Sequence, residues 1–131
     1  MGGAIGGGLP MAAGAALGAP GRRVVGLQAD GSAMYTLQTL WTQAREKLPV
    51  TTVILSNRRY DILIGEYRNV GATPGPTAMR MLDLGDPALG WVEMARGMGV
   101  EAARATTLEG CADLLRASFS TPHPFLIELA I

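Results

Sequence analysis

Two short turns carry the residues best suited to chemistry, Ala29-Asp30-Gly31-Ser32 and Ser56-Asn57-Arg58-Arg59. Magnesium takes oxygen ligands in octahedral geometry, keeps several waters, and is usually shared between one or two protein oxygens and substrate phosphates. Asp30 offers a carboxylate oxygen, Asn57 an amide oxygen, and a backbone carbonyl just beyond Asn57 a third. Gly31 lets the backbone approach a phosphate closely. Ser32 and the amides after it open a helix, where unpaired N–H groups and the dipole favour an anion. The pair of turns therefore suits a diphosphate held through a divalent metal. The same strings also serve as an ordinary strand-to-helix turn and an ordinary loop, and spacing alone leaves both readings open.

The elements that must position these turns read as strand, helix, strand. Val24-Val25-Gly26-Leu27-Gln28-Ala29 is a mostly apolar run stopped by Asp-Gly, and Val50-Thr51-Thr52-Val53-Ile54-Leu55 is a β-branched run stopped by Ser-Asn. Between them Leu37, Leu40, Trp41, Ala44 and Leu48 follow the spacing of one helix face, and Pro49 ends it. A right-handed βαβ crossover makes the two strands parallel and brings Asp30 and Asn57 to the same sheet edge. Ligands of open α/β sheets bind at that edge.

With those residues in place, the segment resembles the cofactor-binding motif of thiamine diphosphate enzymes. That motif begins Gly-Asp-Gly and ends, after a helix and a strand, at an Asn-Asn pair; here it stands as Ala29-Asp30-Gly31 and Ser56-Asn57, with the spacing from aspartate to final asparagine retained. The resemblance implies that Asp30 and Asn57 bind Mg²⁺ through their side chains and Arg59 through its carbonyl, while the Gly31 and Ser32 amides meet the diphosphate. Ala29 and Ser56 depart from the motif, and neither departure removes a metal oxygen.

A second segment is similar to the same family. Gly2-Gly3-Ala4-Ile5-Gly6-Gly7-Gly8-Leu9-Pro10, followed by the small-residue run Met11 to Ala19, resembles the glycine-rich turn and helix just upstream of the motif in the acetolactate synthase and decarboxylase branch. The resemblance implies that Ile5 lies under the thiazolium and holds the cofactor bent, and that the Gly3 carbonyl accepts from its 4′-amino group. Glycines there let backbone approach an aromatic ring, and Pro10 suits a first helical turn. Without a basic leading region, and with glycine throughout, the segment does not read as a secretory signal.

Composition bounds the remaining possibilities. The 131 residues fit one domain able to bury a core, and 11 basic against 11 acidic side chains give no electrostatic reason to expect nucleic acid or an anionic membrane. No apolar run reaches the length of a membrane span. Cys111 is the single cysteine, so no internal disulfide forms and a cytoplasmic setting is the default expectation. Among Leu108, Ala112, Leu114 and Leu115 it reads as a structural thiol rather than a nucleophile.

Downstream, Trp91, Val92, Met94 and Ala95 fit a helix that Asp86-Pro87 helps start and Gly97 or Gly99 stops. Val100 to Ala105 reads as a strand, Thr106-Thr107-Leu108-Glu109 as a capping box opening a helix to about Phe119, and Pro124 to Leu129 as a last strand. Strands alternating with helices predict an α/β fold, a doubly wound parallel sheet with helices on both faces in three α/β/α layers. Asn69 to Pro76 reads as the one flexible loop. Ile62, Leu63 and Tyr67 are either apolar pocket walls or a helix packing on the sheet. Arg58, Arg59 and Arg68 either meet a substrate carboxylate or are solvated. His123, between two prolines, reads as a loop residue.

By the resemblance, residues 1–131 correspond to the diphosphate-binding domain alone, and the chain is expected to be a fragment or one subunit of a larger enzyme. Thiamine chemistry needs a glutamate at the pyrimidine ring, which the family supplies from a separate pyrimidine-binding domain or subunit. None of Glu46, Glu66, Glu93, Glu101, Glu109 and Glu128 stands in a matching setting, so no catalytic residue is assigned and the isolated chain is expected to be inert. The function implied is thiamine diphosphate and Mg²⁺ binding in an acetolactate synthase-like enzyme acting on 2-oxo acids, working as a homo- or hetero-oligomer. A benzoylformate decarboxylase-like carboxy-lyase is the alternative. A non-catalytic dimerisation module that keeps the fold is the alternative of another class. A nucleotide-binding doubly wound domain is disfavoured, because no strand precedes Gly2 to Gly8.

Overall fold

The computed structural model describes residues 4–131, so the expectation for Gly3 lies outside the described residues. Four strands form one parallel sheet: β1 (Val24–Ala29), β2 (Val50–Ser56), β3 (Glu101–Ala105) and β4 (Phe125–Ala130), in the order β1-β2-β4-β3. The register sets Val24 opposite Val50, Thr51 opposite Phe125 and Glu101 opposite Phe125. Parallel strands therefore deliver Ala29, Ser56, Ala105 and Ala130 to one edge.

Among the described residues seven α-helices accompany the sheet: α1 (Gly8–Gly18), α2 (Asp30–Ala33), α3 (Thr39–Arg45), α4 (Asp61–Asn69), α5 (Pro76–Leu82), α6 (Trp91–Gly97) and α7 (Leu108–Phe119). Alternation along the strands sorts their side chains between two cores. Ile54 and Leu126 join Leu9, Leu40 and Trp91, from α1, α3 and α6, on one face. Val53, Phe125, Ile127 and Leu129 meet Leu114 and Leu115 of α7 on the other, where Cys111 packs half-buried. The sheet thus lies between helix layers, as the strand and helix alternation predicts. β1 is the exception, since Val25 and Leu27 of its second face are 44% and 69% exposed. No described helix is long and apolar enough to cross a membrane.

Four expectations need correction. The helix after the first turn is not continuous: a 3₁₀ segment, Met34–Thr36, separates α2 from α3. Its tighter winding shifts the phase of α3, so Trp41 is 52% exposed while Gln43 is fully buried beside Leu40. α3 ends at Arg45, before Pro49, and Lys47 at φ 51 turns the chain into β2.

At α7 the cap is Thr107, whose Oγ1 accepts from Gly110 N at 3.1 Å. Glu109 therefore sits one position too early for the reciprocal bond of a capping box. The segment expected as loop to Pro76 gives way at that residue to α5, with Gly75 as N-cap and Pro76 as first helical residue, where a missing N–H costs nothing. α6 starts at Trp91 after Gly90, so Asp86-Pro87 lies in the preceding turn and does not begin the helix.

Candidate functional site

β1 ends at Ala29, and Asp30 is the first residue of α2, so a carboxylate stands at the strand-to-helix junction with 1% exposure. Its Oδ1 accepts from Gly31 N at 2.8 Å and its Oδ2 from Arg58 N at 2.7 Å. The second bond ties the turn after β1 to the turn after β2. Arg58 reaches it with φ 57, a left-handed backbone that a non-glycine residue adopts only when its surroundings enforce it. Among the described residues Asp30 enters no ion pair. A buried carboxylate without a counter-charge is costly, and two backbone donors offset only part of that cost.

Asn57 Oδ1 accepts from Arg59 N at 3.2 Å, a local bond that orients the amide at the same turn. The turn is braced from outside: Leu84 N donates to Arg58 O at 2.8 Å, Tyr60 N donates to Leu82 O at 2.9 Å, and Arg59 bridges to Asp83. These bonds occupy the Arg58 carbonyl. The Arg59 carbonyl accepts no backbone bond among the described residues. The Arg59 guanidinium faces Asp61 at 3.3 Å in a solvent-exposed pair.

The glycine-rich turn reaches the site through Gly6. Gly6 N donates to Ser32 Oγ at 3.1 Å, and Thr36 Oγ1 donates to Gly6 O at 2.7 Å, which fastens the turn across α2 and the 3₁₀ segment. Gly6 has φ +83, and a Cβ there would meet Tyr35 Cβ at 2.7 Å, so both conformation and space demand glycine. Ile5 is half-exposed as a result and lines a cleft of about 110 Å³ with Gly31, Ser32, Asn57, Arg59, Tyr60 and Ile62. Apart from Gly3, every cofactor residue expected from sequence meets in this cleft. Asp30 lies buried at its margin.

Tyr60 directly follows the Asn57 turn and opens the segment 60–67 expected beside the cofactor, but no role of its own is expected from the sequence. Its ring lies over Gly31, where an added Cβ would come within 2.5 Å of the aromatic edge. Burial pushes the Tyr60 hydroxyl above the usual 10.0, reinforced by Tyr35 and by the Asp30 charge. The Gly31 amide is engaged with Asp30, and Tyr60 takes the space its missing side chain leaves.

A larger cavity of about 440 Å³ lies on the other side of Asn57, between α4 and α5. Ile64, Met79 and Leu82 form its apolar wall, with Arg58, Arg59 and Arg80 around it. Of the sequence candidates, Ile62 lines the small cleft and Arg58 and Arg59 line the cavity, while Leu63, Tyr67 and Arg68 line neither. Ile64, the buried residue of α4, takes the wall position instead. His123 stays in the loop before β4, where its carbonyl accepts from Arg23 at 3.1 Å.

Residues 1–129 match the model of the thiamine pyrophosphate enzyme, C-terminal TPP binding domain. A Mycobacterium tuberculosis protein provisionally named acetolactate synthase large subunit IlvX is 54% identical over 99% of this chain, which covers 26% of that protein. The benzoylformate decarboxylase of Pseudomonas aeruginosa is 38% identical over 97% of the chain and 23% of its own length. The solved structure of a thiamine diphosphate-dependent 4-hydroxybenzoylformate decarboxylase of Rhodococcus jostii superposes with a TM-score of 0.82 at 39% identity, over 95% of this chain and 22% of that one. The chain thus spans about a quarter of the relatives it matches. Fold, turn geometry and sequence agree, and the chain belongs to the thiamine pyrophosphate enzyme family as its C-terminal cofactor-binding domain.

Proposed function

We propose that residues 1–131 form the diphosphate-and-metal half of a thiamine diphosphate site, with Asp30, Asn57 and the Arg59 carbonyl as the protein ligands of Mg²⁺. The observation that carries this reading is the bond from Arg58 N to Asp30 Oδ2, which ties the turn holding Asn57 and Arg59 to a buried carboxylate that has no counter-charge among the described residues. Each carboxylate oxygen keeps a lone pair after accepting one N–H, and the Arg59 carbonyl has no backbone donor among the described residues. One carboxylate, one amide and one carbonyl are hard oxygen donors of the kind Mg²⁺ prefers, with room left for diphosphate oxygens and water.

When bound, the cofactor supplies the electron sink for cleaving or forming the bond beside a 2-oxo acid carbonyl, and the protein supplies orientation and electrostatics. Ser32, fixed by Gly6, lies on the diphosphate side, and the Gly31 amide becomes a diphosphate donor only by leaving Asp30 Oδ1. Ile5 and the Gly3 carbonyl serve the thiazolium and the pyrimidine amine. Tyr60 packs its ring over Gly31 at the turn. In the larger cavity the Arg80 guanidinium suits a substrate carboxylate, and Ile64 and Met79 suit its apolar chain.

The reaction class is drawn from the relatives. An acetolactate synthase-like carboligation after decarboxylation is the first reading, supported by the 54% identity to the mycobacterial protein. A benzoylformate decarboxylase-like lyase is the second, supported by the 38% and 39% identities to enzymes named for that activity. Either needs a pyrimidine-binding domain or subunit to supply the activating glutamate, in an oligomer expected in the cytoplasm.

Equilibrium dialysis tests the metal part. Thiamine diphosphate retained with Mg²⁺ and released by EDTA supports it, whereas retention indifferent to EDTA contradicts it.

A further inference from the structure

Beyond the cofactor cleft, a separate cavity of about 440 Å³ opens between the segment 88–96, β3 and β4. Glu128 of β4 lies in its wall with a side chain only 6% exposed. Among the described residues its one ion-pair partner is Arg104, with Nε at 3.9 Å, too long for a hydrogen bond. The Glu128 side chain is therefore nearly buried, with only a long ion pair to Arg104 and its carboxylate facing the cavity.

The cationic side of the same cavity is equally underused. Arg58 forms no ion pair among the described residues, and Arg96 donates to the Ala102 carbonyl at 2.9 Å without meeting a carboxylate. Glu93, also in the wall, forms no ion pair with them among the described residues. Its Oε2 is folded against Gly90, within 2.9 Å of where a Cβ would stand. Leu89 and Val92 add an apolar wall.

The lining sets the Glu128 carboxylate, beside Arg104, against the guanidinium groups of Arg58 and Arg96. A ligand with both charges satisfies both sides. We propose that this cavity is a second small-molecule site for a dipolar ion of the α-amino acid type, its ammonium on Glu128, its carboxylate on Arg58 and Arg96, and an aliphatic chain against Leu89 and Val92. Planar guanidinium groups suit a carboxylate, and a charge-assisted bond to a buried acid is among the stronger polar contacts.

Three probes of matched chain length test the site on the 131-residue chain: L-norvaline, pentanoate, which lacks the ammonium, and butylamine, which lacks the carboxylate. In a two-dimensional amide NMR titration, L-norvaline is expected to shift the signals of Leu89, Val92, Ala103 and Glu128 saturably, with a dissociation constant of about 1 mM or below. Pentanoate and butylamine are expected to bind at least about tenfold more weakly. Glu128→Gln weakens norvaline about tenfold and leaves pentanoate unchanged or tighter, since the repelling charge is gone.

Should Glu128→Gln fail to fold, the surface change Arg96→Gln decides alone, by weakening norvaline and pentanoate but not butylamine. The proposal is overturned if norvaline causes no saturable shift up to about 20 mM. It is overturned equally if pentanoate binds as tightly as norvaline, or if binding survives the substitutions unchanged.

Discussion

At the residue scale the site rests on a carboxylate, an amide and a carbonyl placed by two turns, and on the neighbours that hold them. Asp30 and Asn57 were legible in the sequence because each ends an apolar or β-branched run and parallel strands leave no other edge for them. Tyr60 over Gly31 was not, because that contact joins the turn after β2 to the turn after β1 through space. Gly31→Ala forces its Cβ to within 2.5 Å of the ring, so destabilisation of about 1–3 kcal/mol is expected by denaturant unfolding. Gly31→Ala in a Tyr60→Leu background loses part of that penalty if the ring is its cause.

Tyr60 also carries a pH signature. A phenol whose pKa is raised in the folded state is more easily ionised when unfolded, so its contribution is complete below 10.0 and is lost as pH rises through the folded value. Unfolding followed across the alkaline range should show stability falling there less steeply in Tyr60→Phe. Equal slopes would show that Tyr60 is not perturbed.

At the element scale, the parallel strands and α7 followed directly from patterning, while α3 and α5 did not. The sequence pattern put Trp41 on the buried face because a single helix was assumed. The 3₁₀ segment rotates α3 relative to α2, and the buried side chain is Gln43, whose amide has no hydrogen-bond partner among the described residues. α5 was hidden because Gly75-Pro76 reads as turn chemistry until the proline is seen to be the first residue of a helix. The segment 82–84 that braces Arg58 and Tyr60 could not be read locally, since its partners lie over twenty residues upstream.

The α7 cap gives a direct check: Thr107→Ala should cost about 1 kcal/mol in thermal or denaturant unfolding. Glu109→Gln should cost almost nothing, because Glu109 is not the partner of a reciprocal box. A larger loss at Glu109 than at Thr107 would restore the capping box at Thr106.

At the scale of the whole molecule, the sheet is covered by helices except along one face of β1. Leu27, 69% exposed there, and Leu126, fully buried at the centre, are the same residue type in opposite settings. Leu27→Ala is expected to change stability by less than about 0.5 kcal/mol. Leu126→Ala should lose about 2–5 kcal/mol. Comparable losses would mean that the β1 face is covered in solution. The overall fold and the family were legible because the two motifs span the first half of the chain and the strand-helix alternation completes it. The reaction was not, since the residues that separate synthase from lyase are not among those the two motifs contain.

The central claim is that Asp30, Asn57 and the Arg59 carbonyl bind the diphosphate through Mg²⁺. Calorimetric titration of the chain with thiamine diphosphate tests it most directly, with and without Mg²⁺, in the unaltered protein and in Asp30→Ala and Asn57→Ala variants shown to be folded. Mg²⁺-dependent binding that vanishes in both variants is the predicted result. Binding that survives both substitutions, or no binding even with a pyrimidine-domain partner present, would contradict it.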